Sequence, residues 1–334
     1  MLFIQISFIV TFIYFVMSYS YMLLTPAFLL SNNSMIQFVK KLGQTLTTII
    51  LLHGFKMELY LNNSDIGKKM NMNPELVDVI ICNHMSEIDW VIVLAYLEHF
   101  NIDSYNLVLR KGIVYWPGLG LVVYSNKDIT LDRNWELDQK HLTKQINCIK
   151  PNGTKEVILI FPEGTRINNN KLILAQKYSK ESNIPIFNNL LVPKFKGIYT
   201  IINVLASKQM LGRIWDITLI APKYMRTSFD ISDMMGSSFG PIYADIRELT
   251  LESNFQNLET FKLWFIKNWQ IKDSIIDNYK KKSFEKLEYN TNYNHLIYIT
   301  IISTISTLML MNRFSRYYLM VSIIIAYTLI LFKL

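Results

Sequence analysis

Cysteine is scarce in this 334-residue chain. Cys82 and Cys148 are the only two, too few for a disulfide framework. No grouping of His, Cys, Asp and Glu has the spacing of a metal site, which argues against a catalytic zinc; no cofactor is expected. The strained Gly-x-Ser-x-Gly elbow of serine hydrolases is missing. Internal repeats and low-complexity linkers are also lacking, so the length reads as one large domain or two modest ones. Charge is absent from residues 1–39 altogether.

Apolar residues, by contrast, make up 51% of the chain, and the mean hydropathy is +0.20. The excess sits at the two ends. Leu2–Leu30 is long enough to span a bilayer, which needs roughly 20 apolar residues, and Pro26 near its end suggests a kink or a stop. A cleaved signal peptide is the rival reading. It fits poorly, because no basic residue follows Met1 and the run exceeds the usual core of about 7–15 residues. At the other end lie Leu296–Met311 and Tyr317–Phe332, separated by Arg313 and Arg316. Each is slightly short, which suits a tight or partly inserted hairpin; a buried helical hairpin is the alternative. The expected organisation is a membrane anchor over 1–32, an α/β domain over 33–290 and a transmembrane hairpin over 296–334.

The net charge is +8. Beside membrane anchors, a basic excess points to anionic lipid head groups or a phosphorylated substrate. Nucleic acid is not an expected partner, because the Lys and Arg residues are scattered and no binding motif appears.

Between the ends, short apolar runs alternate with helical spacing. Strands are expected at Phe55–Leu61, Val77–Cys82, Tyr105–Leu109, Asp128–Leu131, Glu156–Phe161, Asn188–Val192, Trp215–Ile220 and Pro241–Leu249. Helices are expected at Phe38–His53, Glu87–Phe100, Trp135–Ile149, Asn170–Ser182, Gly197–Ser207 and Leu258–Lys282, the last basic and amphipathic. Asn62–Asn73 reads as an exposed loop. This alternation predicts an α/β fold with a mostly parallel sheet flanked by helices.

Two segments carry chemistry. In the first, a buried strand ends at Cys82 and the chain continues Asn83-His84-Met85-Ser86-Glu87-Ile88-Asp89. Ligands of open α/β sheets bind beyond the carboxyl ends of strands. A His just before the helix can fold back so that Asp89 accepts one ring proton, leaving the other nitrogen as a base. Ser86 or Asn83 is a candidate cap for that helix. Three readings stand: a solvated His and Asp, a triad through Ser86, or a His–Asp dyad acting directly on a substrate hydroxyl. Ser86 is only two residues from His84, and Cys82 belongs to the apolar strand, so neither makes a good nucleophile. In the second segment, a buried strand ends in Phe161-Pro162-Glu163-Gly164-Thr165-Arg166. Gly164 permits a tight turn, Thr165 offers a hydroxyl and Arg166 a fork of donors, together a phosphate cradle. An ordinary turn is the bland alternative.

The two motifs, in this order and roughly 75 residues apart, resemble the glycerolipid acyltransferase family, the 1-acyl-glycerol-3-phosphate (lysophosphatidate) acyltransferases and their lysophospholipid-acylating relatives. Pro117-Gly118-Leu119-Gly120 with Arg133, and Leu191-Val192-Pro193-Lys194 through Gly197, resemble two weaker blocks of that family. The resemblance spans about residues 75–225. It implies acyl transfer from acyl-CoA to a lysophospholipid hydroxyl, with His84 as base and Asp89 orienting it. It further implies that Glu163, Gly164, Thr165 and Arg166 bind substrate, with Arg133 and Lys194 in support. It implies acyl-CoA, a lysophospholipid and a lipid bilayer as partners, and the endoplasmic reticulum as location. Tyr124–Asp128 is more polar than the family's usual middle block, and the hydrophobic C-terminus resembles members acting on lysophosphatidylinositol or lysocardiolipin. A CoA-independent transacylase and an inactive lipid-binding scaffold are the competing functions.

Overall fold

A computed structural model describes residues 57–62, 66–70, 73–102, 104–116, 119–149, 153, 155–225, 227–228, 240–251 and 257–289, with scattered positions between 37 and 55. The expected anchor and C-terminal hairpin lie outside these residues. Among the described residues, no helix is long and apolar enough to cross a membrane. Two compact units appear among them: a larger one within 47–108 and 134–289, and a smaller one formed by 109–133 with positions before 47.

In chain order the elements are β1 (Glu58–Leu61), α1 (Ile66–Met70), β2 (Val77–Cys82), α2 (Asp89–His99), β3 (Ser104–Arg110), α3 (Leu119–Asn126), β4 (Ile129–Leu131), α4 (Trp135–Asn147), β5 (Glu156–Ile160), α5 (Asn169–Glu181), α6 (Phe195–Ser207), β6 (Leu211–Ile220), β7 (Pro241–Leu249), α7 (Leu258–Asn278) and β8 (Glu285–Lys286). In the larger unit the strands run in the order β3-β5-β2-β6-β7-β1-β8. The pairs β3–β5, β5–β2, β2–β6 and β7–β1 are parallel; β6–β7 and β1–β8 are antiparallel.

The central strands explain themselves. Val77–Cys82 and Glu156–Ile160 are buried at every position. Strands covered on both faces by helices read as continuous apolar runs. α2 is apolar nearly all round and buries eight residues, from Asp89 and Val91 to Leu97. α4, α5 and α7 start at Asn134, Asn168 and Asn257, whose side chains accept from first-turn N–H groups.

Three expectations fail. Asn62–Asn73 contains the short helix α1. Asn188–Val192 is not a strand: its backbone N–H groups turn to Asp273 and Glu163. The cap is also different from either candidate. Ile88 stands at the N-cap of α2 with no side-chain bond, while Asn83 faces β6.

The smaller unit folds around Val114 and Val123, packed by Leu109, Ile113 and Tyr124. Gly120 allows α3 to approach closely there, since a Cβ would sit 1.9 Å from the Val114 carbonyl oxygen. Pro117 and Gly118 of the weaker block lie outside the described residues.

Candidate active site

Strand register brings the two motifs together. β2 and β5 pair in parallel with Ile81 opposite Ile160, so the residues that follow emerge side by side at one sheet edge. The His84 carbonyl accepts from Ile167 N–H at 3.0 Å, and the His84 N–H donates to Glu163 Oε1 at 2.9 Å. Asn83 anchors the other flank: its amide donates to the Leu219 carbonyl at 3.0 Å and accepts from Leu219 N–H at 2.8 Å, extending the ladder to β6.

The ring of His84 folds back on the first turn of α2. Nδ1 lies 2.9 Å from Asp89 Oδ2, and that same oxygen accepts from Met85 N–H at 2.5 Å and Ser86 N–H at 2.7 Å. The tautomer follows from this network: Nδ1 carries the proton and Nε2 is left as the basic nitrogen. Asp89 is fully buried, whereas the His84 side chain keeps 22% of its surface. Burial pushes the Asp89 carboxyl above its ordinary range, while the His84 ring and the two backbone donors pull the other way. The Phe161 ring lies 4.8 Å from the imidazole, centroid to centroid, and walls one side. Burial pushes the Cys82 thiol well up, which suits a core residue and not a nucleophile.

Glu163 is buried, with both oxygens occupied by backbone donors: Oε1 by His84 N–H and Oε2 by Leu191 N–H, at 3.1 Å. Burial raises its pKa to about 8 against the pull of those N–H groups. Its side chain is a clamp between three segments and is not turned to open space. Gly164 has φ +65°, the left-handed region a glycine adopts freely, and its N–H returns to the Phe161 carbonyl at 3.0 Å. Lys194 hangs over this turn: a Cβ on Gly164 would meet its Nζ at 3.2 Å, and its N–H donates to the Pro162 carbonyl at 2.8 Å. Arg166 pairs with Glu87 at 2.9 Å, both partly exposed, so the guanidinium lies close to the His84 motif.

Lys171 escaped the sequence reading. Its Nζ donates to Thr165 Oγ1 at 2.6 Å and to the Arg166 carbonyl at 3.0 Å. An ammonium has no acceptor, so Thr165 Oγ1 must accept from it, which leaves the O–H to donate to another group. The only available signal was its position, third after the N-cap Asn168, which is not diagnostic. Arg133 belongs to the smaller unit, exposed at the end of β4 with φ +68°. His84, Asp89, Glu163, Gly164, Thr165, Arg166 and Lys194 are therefore gathered in the larger unit. The set offers a base, its orienting carboxylate and, one strand away, cations with a hydroxyl donor.

Residues 67–187 match the Acyltransferase family model. A probable 1-acyl-sn-glycerol-3-phosphate acyltransferase 5 of Arabidopsis thaliana is 26% identical over 68% of this chain and 62% of its own length. The 1-acyl-sn-glycerol-3-phosphate acyltransferase 2 of the same plant is 28% identical over 51% and 42%. Lysophosphatidylinositol acyltransferase 10 of Caenorhabditis elegans is 23% identical over 60% and 52%. The chain thus spans roughly half the length of these curated relatives. Among solved structures, the LPA acyltransferase PlsC of Thermotoga maritima aligns over 82% of this chain and 97% of its own, with a TM-score of 0.47 and 12% identity.

Proposed function

The chain carries an Acyltransferase-family domain over residues 67–187, and from that premise we propose that it moves a fatty acyl group from acyl-CoA to the free hydroxyl of a lysophospholipid. The acceptor in this reading is 1-acyl-sn-glycerol-3-phosphate and the product phosphatidic acid. The observation that carries the reading is the His84–Asp89 pair, buried on the carboxylate side and open on the imidazole side, beside the Gly164–Arg166 turn.

His84 Nε2 takes the proton of the acceptor hydroxyl as that oxygen attacks the thioester carbonyl. The carbonyl re-forms, the C–S bond breaks, and CoA leaves as a thiolate that recovers the proton from the imidazolium. Such a base contributes about 10²–10⁴-fold. Asp89 holds the ring and stabilises its charged form. Thr165, Arg166 and Lys194 receive the acceptor phosphate, Arg166 by two parallel donors and Thr165 by the O–H that its bond to Lys171 leaves unused. Both substrates are amphiphiles, so the reaction takes place at a bilayer surface, with the endoplasmic reticulum as its location. Similarity to lysophosphatidylinositol acyltransferase 10 of Caenorhabditis elegans supports a second acceptor, lysophosphatidylinositol.

The test is acyl transfer by purified wild-type and His84→Ala protein in detergent, with labelled oleoyl-CoA and a panel of lysophosphatidate, lysophosphatidylinositol, lysocardiolipin and lysophosphatidylcholine. Product from lysophosphatidate that vanishes in the variant is the expected result. Equal product from both proteins removes His84 as base. Turnover only with a phospholipid donor makes the protein a transacylase, and silence with every donor makes it a scaffold.

A further inference from the structure

The backbone of His84 is restrained as firmly as its ring, and the restraint leads through buried groups to α7. His84 N–H is held by Glu163, and Glu163 by Leu191 N–H. The Leu191 carbonyl accepts from the indole Nε1 of Trp269 at 3.0 Å. One turn along α7, Asp273 accepts from Asn188 N–H at 2.8 Å and Asn189 N–H at 2.7 Å, and the Asn189 amide reaches Asp277 at 2.8 Å. α7 is itself pinned to β6: fully buried Lys272 donates to the Ile217 carbonyl at 2.6 Å and pairs with Asp216 at 2.7 Å.

We propose that Trp269 and Asp273 are positioning residues for acyl transfer: they fix the 188–194 loop, the loop fixes Glu163, and Glu163 sets His84 in register with Asp89. The inference rests on the reading of His84 as the base. Its physical ground is that Glu163, Trp269 and Asp273, the three side chains that hold backbone groups along this route, are all buried. A partner lost at these buried side chains leaves a buried polar group unpaired, so loss of one link shifts the next. Trp269 and Asp273 touch neither reactants nor His84, and their effect is geometric. A base displaced by about 1 Å loses on the order of 10²-fold in rate.

The experiment compares wild type, Asp273→Asn, Trp269→Phe, Glu163→Gln and the Glu163→Gln/Asp273→Asn double variant. The full chain in detergent is used, with oleoyl-CoA and lysophosphatidate. Three quantities are read: kcat and KM, the melting temperature, and the ring titration of His84 by NMR of histidine-labelled protein, assigned with His84→Ala. In Asp273→Asn we expect kcat to fall roughly tenfold or more, with KM for both substrates held within about twofold. The His84 titration should move, and the double variant should lose no more kcat than Glu163→Gln alone. A lower melting temperature with unchanged kcat and an unmoved His84 titration would make the two residues structural only and overturn the proposal. Additive losses in the double variant would overturn the route through Glu163. If Asp273→Asn does not fold, Trp269→Phe, which keeps an aromatic ring in place, carries the same test. The titration needs no substrate. A moved His84 signal in a protein without turnover sinks the base reading and leaves the relay standing.

Discussion

Two buried carboxylates lie before and beyond the body of β2, Asp78 near the start of the strand and Asp89 at the start of α2, and they are built to opposite purposes. At the start of the strand, Asp78 is fully buried. It accepts from Lys155 Nζ at 2.6 Å, Trp215 Nε1 at 2.7 Å and Arg213 N–H at 2.8 Å. Lys155 is buried as well, nearly as fully as its partner, and Gly212 is required beside them, where a Cβ would lie 2.1 Å from Asp78 Oδ1. Beyond the end of the strand, Asp89 is equally buried, but its ionisable partner is a half-open imidazole with a second nitrogen to spare. A buried carboxylate with a buried cation is closed chemistry that serves the fold. The same carboxylate with an accessible, titratable ring can pass a proton. Burial alone does not separate the two; the exposure of the partner does.

The contrast breaks most sharply at Asp89. Asp89→Asn keeps the shape but faces an amide toward donors that need an acceptor, so the His84 tautomer is lost. Acyl transfer should fall by about 10²–10⁴-fold at saturating substrate, measured as product formed per enzyme. A fall of less than about tenfold would place the base elsewhere.

At the other end of the strand, Asp78→Ala strands the Lys155 ammonium in the interior and should cost about 3–5 kcal/mol of stability. Chemical unfolding monitored by tryptophan fluorescence reads this directly. The folded fraction should retain kcat near wild type. Stability unchanged within about 0.5 kcal/mol would show that Lys155 finds water, and the comparison between the two ends would weaken.

Glu163 sits between these extremes and supplies a pH test. Burial lifts it from the ordinary carboxylate range to about 8, so between roughly pH 4.5 and 8 the folded chain holds a proton that the unfolded chain has released. Its contribution is therefore greatest at low pH and declines as pH rises through that window, levelling off above about 8. Glu163→Gln should flatten this part of the stability profile, measured by denaturant midpoints across pH. A variant profile parallel to wild type would assign the slope to other groups.

Much of this contrast was legible in the chain. Val77–Cys82 and Pro241–Leu249 are strands over the expected residues, because apolar and β-branched runs between turn residues fit few other structures. The placement of His84 and Glu163 after buried strands was equally visible. Their adjacency was not, since it depends on β5 pairing with β2 although α2, β3, α3, β4 and α4 intervene. Asn188–Val192 has the look of a strand, yet its donors go to Asp273, some 84 residues downstream, and to Glu163. Local pattern carries no information about partners so distant. Asp78 gave no signal of its own, as one acid in an apolar run.

Lys171 sharpens the same comparison at the smallest scale. Like Lys155 it is a lysine that donates to a named oxygen, but the oxygen is the Thr165 hydroxyl and the ammonium is only half-buried. With Lys171 in place, Thr165 Oγ1 is an acceptor on that side, which leaves its O–H for a different partner. Lys171→Met keeps most of the stem and removes the donor. The hydroxyl then loses the donor that fixes its orientation, and a nearby positive charge is lost. The expected result is a rise of about fivefold in KM for lysophosphatidate with kcat little changed, because uniform binding is lost and the base is untouched. Thr165→Val should give a similar rise, and adding it to Lys171→Met should raise KM little further if both act through the one hydroxyl. A KM unmoved by either change would leave Lys171 as a brace for the start of α5, on the closed-chemistry side with Asp78.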